Sequence, residues 1–162
     1  MKLNESIIKN LNEGRNDEMD VGTITSDKGK GFYVGDPCYV LPDEIYYGIW
    51  EDKYNFEDGL IETPEGNWLV HGTLYGDGYY DGYSVDSGTL SVIPAHLIAE
   101  DKAKDALRFG KIFPGTEAHV QWYGGREGIF SVDIQNPRAS FNIMTGEYEE
   151  SEEDWNEEGE EY

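Results

Sequence analysis

The only cysteine of the chain, Cys38, lies two residues after Asp36, within the segment GFYVGDPCYVL of residues 31–41. A thiol with an imidazole base, itself oriented by a carboxylate, is the arrangement of a cysteine nucleophile. The candidate bases and orienting groups are His71, His96 and His119, and Asp36, Asp77 and Asp86. The net charge of −22 opposes this chemistry, because a negative field raises the pKa of a thiol. We therefore favour a structural role for Cys38 as a small buried side chain.

A second possible chemistry is metal binding by Asp77, Asp81 and Asp86, which lie among glycines in the segment GDGYYDGYSVDSG. Carboxylate oxygens suit Ca²⁺ or Mg²⁺. The spacing does not follow the helix-loop-helix calcium motif, and Asp-Gly pairs are typical of tight turns. We predict no cofactor and no metal. The alternative functional site is a pocket of a small enzyme or of a ligand- or metal-binding domain, formed by Asp36, Cys38, His71, Asp77, Asp81 and Asp86.

Glycoside cleavage by paired carboxylates is a third possibility, because Trp50, Trp68 and Trp122 are available to stack on sugars. With 34 acidic residues in the chain, some pair is always suitably placed by chance. The abundance of acids therefore gives this possibility no support.

The acidic residues form their densest group outside the C-terminal region between Asp43 and Glu65, where eight acids accompany one base, Lys53. Aromatic residues are interleaved with them: Tyr46, Tyr47, Trp50, Tyr54 and Phe56. Dense carboxylates with aromatic anchors would suit the basic cleft of a nucleic-acid-binding protein. The predicted partner contacts are Asp43, Glu44, Tyr47, Trp50, Glu51, Asp52, Glu57, Asp58 and Glu62.

Composition limits the remaining functions. A chain of 162 residues with 38% apolar content is predicted to form one main domain. With 34 acids against 12 bases, direct nucleic-acid binding is disfavoured, because phosphate contacts need a basic patch. No apolar run has the length of a membrane span, and a single cysteine suits a reducing compartment. We expect a cytoplasmic protein, and its oligomeric state stays open.

Apolar periodicity predicts an amphipathic helix in residues 1–14 and a β-rich domain in residues 15–146. The acidic composition of residues 147–162, which contain almost no aliphatic residues, predicts a disordered tail. Within the domain, strands are predicted at 21–25, 32–34, 38–41, 67–75, 89–93 and 139–144, and a hairpin at 119–134. Helices are predicted to begin at Pro42 and at Pro94. The spacing of Ile45, Ile49 and Trp50 places them on one face of the first of these helices. The expected fold is α+β: a curved antiparallel sheet or a partly closed barrel, with two or three short helices.

Several short motifs between Gly31 and Ile98 resemble those of a family of small phage and bacterial proteins that is recognised by sequence pattern rather than by an activity. They are Asp36-Pro37-Cys38-Tyr39, Gly76-Asp77-Gly78-Tyr79, Val85-Asp86-Ser87-Gly88, Ile93-Pro94 and Leu97-Ile98. The resemblance implies a phage or mobile-element context and a β-rich fold. In size and charge alone, the chain is similar to phage proteins that imitate DNA and block CRISPR or restriction enzymes.

These observations lead to a functional expectation. The protein is predicted to be a non-enzymatic inhibitor from a phage or mobile element, which binds the basic nucleic-acid cleft of a host defence protein, such as a CRISPR effector or a restriction enzyme. The alternative is the small enzyme or binding domain with the pocket described above.

Overall fold

The computed structural model describes residues 18–146, in which antiparallel strands predominate. The strands are β1 (Glu18–Thr25), β2 (Phe32–Gly35), β3 (Gly59–Thr63), β4 (Gly66–Gly72), β5 (Gly78–Tyr80), β6 (Tyr83–Val85), β7 (Thr89–Pro94), β8 (Lys111–Phe113), β9 (Glu117–Tyr123), β10 (Ile129–Gln135) and β11 (Ala139–Met144). Helix α1 is continuous through Asp43–Ile45, a π-helical stretch Tyr46–Glu51, and Asp52–Tyr54, and α2 is Ala103–Phe109.

The first sheet has the strand order β1-β9-β10-β11 and is antiparallel throughout. In β9 and β10, buried and partly exposed residues alternate strictly, as expected for a sheet with one solvated face. The inward residues of these two strands are Ala118, Val120, Trp122, Phe130, Val132 and Ile134. The hairpin predicted for residues 119–134 is confirmed, and so is the strand at 139–144.

The second sheet has the order β3-β4-β7-β2-β8 and is buried on both faces at its centre. In β2, Phe32 and Val34 face the first sheet, and Tyr33, between them, packs in the cluster beneath the helices. The domain thus has three layers, the first sheet, the second sheet and the helices, with one apolar core in each of the two spaces between them.

The expectation of a β-rich α+β fold is confirmed, but the single curved sheet or partly closed barrel is not what forms. The strands of residues 18–146 divide into two main sheets and a separate β5–β6 hairpin. The reason lies in β2 and β7, in which every residue is buried. A sheet with apolar side chains on both faces must be covered on both faces, here by the first sheet and by the helices.

The strand predicted for Cys38–Leu41 is wrong. Residues Pro37–Tyr39 form a 3₁₀ turn, in which the Asp36 carboxylate accepts a hydrogen bond from the Cys38 N–H at 2.8 Å. Proline at the first position of a turn, preceded by an aspartate cap, favours this conformation over an extended one.

The helix predicted after Pro42 is confirmed, and it ends at Asn55, which has a positive φ of 55°. The second helix begins at Ala103 and not near Pro94, because Pro94 completes β7. Two 3₁₀ turns, Ala95–Leu97 and Glu100–Lys102, fill the interval.

The strand predicted for 67–75 ends at Gly72, and the glycine-rich segment after it contains a hairpin of its own, β5–β6. Asp81 and Gly82 both have positive φ angles, as a two-residue hairpin turn with the right twist requires. The predicted helix of residues 1–14 and the predicted tail of residues 147–162 lie outside the described residues. No helix between residues 18 and 146 combines the length and apolar character needed to span a membrane.

Candidate functional site

The acidic segment, residues 43–65, comprises α1, the loop that follows it, β3 and the β3–β4 turn. All eight of its carboxylate residues are exposed: Asp43, Glu44, Glu51, Asp52, Glu57, Asp58, Glu62 and Glu65. The helix turns Ile45 and Trp50 inward onto the second sheet, so its charged residues face solvent. The predicted acidic contacts therefore all lie on the surface.

Negative charge is concentrated in one part of the described chain. Residues 31–99 contain 12 acids and one base, whereas the remaining described residues, 18–30 and 100–146, contain 9 acids and 8 bases. Eleven of the 12 net negative charges of residues 18–146 thus come from the part that carries the acidic segment.

Two aromatic residues of the acidic segment are exposed at the surface. Tyr47 on α1 is 54% exposed, and Phe56, just after the helix, is 39% exposed. Exposed aromatic rings are the anchors that a protein interface needs in addition to charge.

Trp50 was predicted as a partner contact, but it is a core residue with 2% exposure. Its ring packs edge-on against Trp68, with centroids 5.2 Å apart, and against Phe56 at 4.9 Å. Its indole N–H donates to the Glu57 carbonyl at 2.9 Å. Trp50 therefore fixes the loop that carries Glu57 and Asp58.

Asp58 is held by β4. One carboxylate oxygen accepts from the Gly72 N–H at 3.0 Å, and the other lies 3.5 Å from Nε2 of His71. The His71 ring stacks on Trp122, a first-sheet residue, at a centroid distance of 4.2 Å. This chain of contacts connects the acidic segment to both sheets.

The alternative pocket centres on Asp36, whose side chain is fully buried. Its carboxylate accepts four hydrogen bonds, from the Cys38 N–H at 2.8 Å, the Asp86 N–H at 2.6 Å, the Ser87 N–H at 2.6 Å and the Ser87 hydroxyl at 2.7 Å. A carboxylate with this many donors is a structural anchor, because little of its lone-pair capacity is left for a ligand.

The sequence surrounding Asp36 shapes this anchor. β2 ends at Gly35, where a Cβ would lie 2.5 Å from the Tyr33 hydroxyl oxygen. That hydroxyl donates to the Asp36 carbonyl at 2.8 Å. Asp36 thereby joins the end of β2 to the β6–β7 connection, fifty residues away in the chain.

Burial raises the pKa of the Cys38 thiol, and the charges of Asp36, Asp86 and Asp77 raise it further. The thiolate is the reactive form of cysteine, so this environment opposes nucleophilic catalysis near neutral pH. Because the charges of Asp36, Asp77 and Asp86 all act on Cys38, these four residues of the alternative pocket lie near one another, but they are not grouped as metal ligands within residues 18–146.

His71 and Asp81, which were predicted to belong to the alternative pocket, make their contacts with other residues. His71 lies against Trp122 and Asp58, and Asp81 accepts from the Met144 N–H at 2.9 Å, at the end of β11. Within residues 18–146, no three His, Cys, Asp or Glu side chains are grouped as a metal site would need.

We expect Cys38 to react with iodoacetamide at pH 8 at least tenfold more slowly in the folded protein than in the urea-unfolded chain, because its raised pKa keeps it protonated. Mass spectrometry of the alkylated protein over time measures both rates. Equal rates in the two states would contradict the raised pKa, and a faster rate in the folded protein would reopen the nucleophile hypothesis.

We expect stability to fall at alkaline pH because of buried tyrosines. Burial raises the pKa of Tyr46 and of Tyr83 to about 12 each, with further contributions from Cys38 at Tyr46 and from Asp81 at Tyr83. An unfolded tyrosine ionises near pH 10. The stabilising contribution is therefore complete below pH 10 and is lost as the pH rises towards 12.

Urea unfolding followed by far-ultraviolet circular dichroism at pH 8, 10 and 11 measures this decline. Tyr83→Phe, which has no ionisable hydroxyl, should show a smaller fall between pH 10 and 11. A free energy of unfolding that is constant over this range would contradict the burial of these hydroxyls.

Sequence reasoning missed Ser87, which supplies two of the four donors to Asp36. Its position in the motif Val85-Asp86-Ser87-Gly88 was the available signal, but no local pattern indicates a partner fifty residues away. Sequence reasoning also did not single out the polar residues on the solvated face of the first sheet. These residues follow the ordinary alternation of an antiparallel strand, so the pattern gave no sign of a site.

The chain has no significant match among protein-family models, curated proteins or solved structures. Its function is therefore inferred from the exposed acidic segment and from the buried carboxylate of Asp36.

Proposed function

We propose that this protein is a non-enzymatic acidic inhibitor from a phage or mobile element, which occupies the basic nucleic-acid cleft of a host defence protein such as a CRISPR effector or a restriction enzyme. The observation that carries the proposal is the exposure of all eight carboxylates of the acidic segment, with Lys53 as its only base. Such a surface attracts a basic cleft over long range.

The magnitude of the charge supports imitation of DNA. Duplex DNA carries one negative charge per ~1.7 Å of axis. The 12 net charges of residues 18–146 thus correspond to roughly 20 Å of duplex, which is more than half of a helical turn of about 34 Å. The domain therefore has enough charge to replace a short stretch of duplex.

The acidic segment is also held in place before binding. Ile45 and Trp50 anchor α1 to the second sheet, the Gly72 N–H holds Asp58, and β3 pairs with β4 over five residue pairs. Preorganised side chains lose less entropy on binding than mobile ones, so more of the electrostatic attraction appears as affinity.

The surroundings of Asp36 favour a binding role over catalysis. The carboxylate is saturated by four donors, and the thiol beside it has a raised pKa. The most sequence-distinctive part of the chain is thus accounted for by architecture, which leaves the acidic surface as the functional candidate.

Displacement of duplex DNA tests the proposal. A labelled duplex is bound by each of a panel of purified CRISPR effectors and restriction enzymes, and the protein is titrated in while anisotropy is followed. We expect displacement from at least one of them. A fourfold variant, Asp43→Asn, Glu44→Gln, Glu51→Gln and Asp52→Asn, should be about 30-fold weaker, at about 0.5 kcal/mol per charge.

The matched control neutralises four exposed acids in the charge-balanced region: Glu100→Gln, Asp101→Asn, Glu117→Gln and Glu127→Gln. It has the same net charge as the fourfold variant and should bind within about threefold of the wild type. If no member of the panel releases its duplex, or if the two variants weaken binding equally, the proposed role of the acidic segment is wrong.

A further inference from the structure

The outer face of the first sheet is an ordered array of side chains. Strand register places His119, Asp133 and Ser140 in one row across β9, β10 and β11, and Gln121, Ser131 and Asn142 in the next. A third row is apolar and consists of Tyr123, Ile129 and Met144. We call the first two the polar rows and the third the apolar row.

The polar rows line a shallow groove of about 300 Å³. Neighbouring strands are about 4.8 Å apart, and alternate residues along a strand are about 6.8 Å apart. The two rows therefore cover a rectangle of about 10 Å by 7 Å. This footprint suits one or two sugar rings.

Side chains at the edges of the groove are fixed by neighbours. Asp133 accepts from the Ser140 hydroxyl at 2.7 Å and from the Gln135 amide at 3.1 Å. Nε2 of His119 lies 2.7 Å from Oδ1 of Asp20, and the side-chain oxygen Oε1 of Gln121 accepts from the Tyr123 hydroxyl at 2.7 Å. These contacts hold the donors and acceptors of the groove in defined orientations.

The middle of the groove retains unused hydrogen-bonding capacity. In the part of the chain between residues 18 and 146, no side-chain hydrogen bond is made by Ser131 or Asn142, and the Gln121 amide nitrogen donates to no other group. These three side chains form the second polar row and together offer both donors and acceptors.

The charge of the groove restricts the ligand. The polar rows carry one carboxylate, Asp133, which is bonded to two donors and lies 3.9 Å from Arg138. The groove lies in the charge-balanced part of the chain. An anion would lack a cluster of basic groups to bind it, and a metal ion would lack a set of carboxylate ligands. A neutral ligand with many hydroxyl groups matches both the free amide and hydroxyl groups and the apolar row, on which the C–H face of a sugar ring can lie.

We propose that this groove is a carbohydrate-binding site for a neutral oligosaccharide. The hydroxyl groups of the sugar bond to Gln121, Ser131 and Asn142, and Tyr123 and Ile129 contact its apolar face. The site is separate from the acidic segment, so either proposal can hold or fail without the other.

Nuclear magnetic resonance of the full, ¹⁵N-labelled chain tests the site. The probes are cellohexaose, maltohexaose, xylohexaose and mannohexaose at millimolar concentration. At least one probe should shift the amide signals of residues 119–123, 129–133 and 140–144, with a dissociation constant in the millimolar range or below. The double variant Ser131→Ala, Asn142→Ala should bind that probe about tenfold more weakly.

The matched control is Ser84→Ala, Asn67→Ala, the same changes on β6 and β4, away from the groove. It should bind as the wild type does, and so should the fourfold variant of the acidic segment. The proposal is overturned if none of the four sugars shifts these signals or if the shifts map to another surface. It is also overturned if the double variant Ser131→Ala, Asn142→Ala binds with wild-type affinity.

Discussion

Replacing Trp50 with alanine is expected to lower the free energy of unfolding by about 4 kcal/mol, the usual cost of removing a fully buried tryptophan. The side chain is 2% exposed and packs against Trp68 and Phe56. The change would leave a cavity between α1 and the second sheet and would remove the hydrogen bond to the Glu57 carbonyl. The helix that presents the acidic segment would lose its main anchor.

Urea unfolding at pH 7 measures this loss. Tyr47→Ala is the matched control, because it removes an aromatic ring from the same helix at a position that is 54% exposed, and it should cost less than about 1 kcal/mol. A cost below about 1 kcal/mol for Trp50→Ala would contradict its burial and would favour the prediction that Trp50 is an exposed partner contact.

Asp36→Asn is expected to destabilise the domain by about 3 kcal/mol. The carboxylate accepts four hydrogen bonds, and charged acceptors form stronger bonds than neutral ones. The asparagine side chain has one acceptor oxygen, so its NH₂ group would face donors that cannot pair with it. The shape of the residue is preserved, and the loss therefore reports the role of the charge.

Asp101→Asn serves as the control, since this aspartate is exposed and lies in a 3₁₀ turn. Its unfolding free energy should differ from that of the wild type by less than about 0.5 kcal/mol. Folded Asp36→Asn should still displace duplex DNA as well as the wild type does. Unchanged stability with lost displacement would mean that Asp36 acts in binding and not in architecture.

The elements that sequence could predict are those determined by local pattern. The β9–β10 hairpin follows from alternating residues on both sides of Gly124-Gly125-Arg126-Glu127, and α1 follows from Pro42 and the spacing of Ile45, Ile49 and Trp50. The exposure of the acids follows equally directly, because unpaired charges are rarely buried.

Pairing between distant strands could not be predicted in this way. β2 lies between β7 and β8, which follow it by more than fifty residues, and its burial on both faces depends on the layers above and below it. At Cys38–Leu41, apolar residues typical of a strand form a turn, which Pro37 and the Asp36 cap favour locally. The hydrogen bonds from Asp86 and Ser87 that fix Asp36 in place could not be predicted from local pattern.

The sequence predicted which acidic residues form the candidate site, but it did not predict the contacts that hold the acidic segment on the domain. Periodicity placed Trp50 with Ile45 and Ile49 on the apolar face of the helix, whereas its acidic neighbours suggested a partner contact. The structure favours periodicity, because Trp68 lies directly beneath it. Tyr47 and Phe56 keep the exposed positions that an interface would use.

The central claim is that the acidic segment binds a basic nucleic-acid cleft, and its most direct test is the salt dependence of binding to a defence protein from which the chain displaces duplex DNA. Affinity is measured by calorimetry at about 50 mM and about 200 mM KCl. The claim predicts that the association constant falls at least tenfold over this range, and that it falls less for the fourfold variant than for its control. The same affinity at both salt concentrations would contradict it.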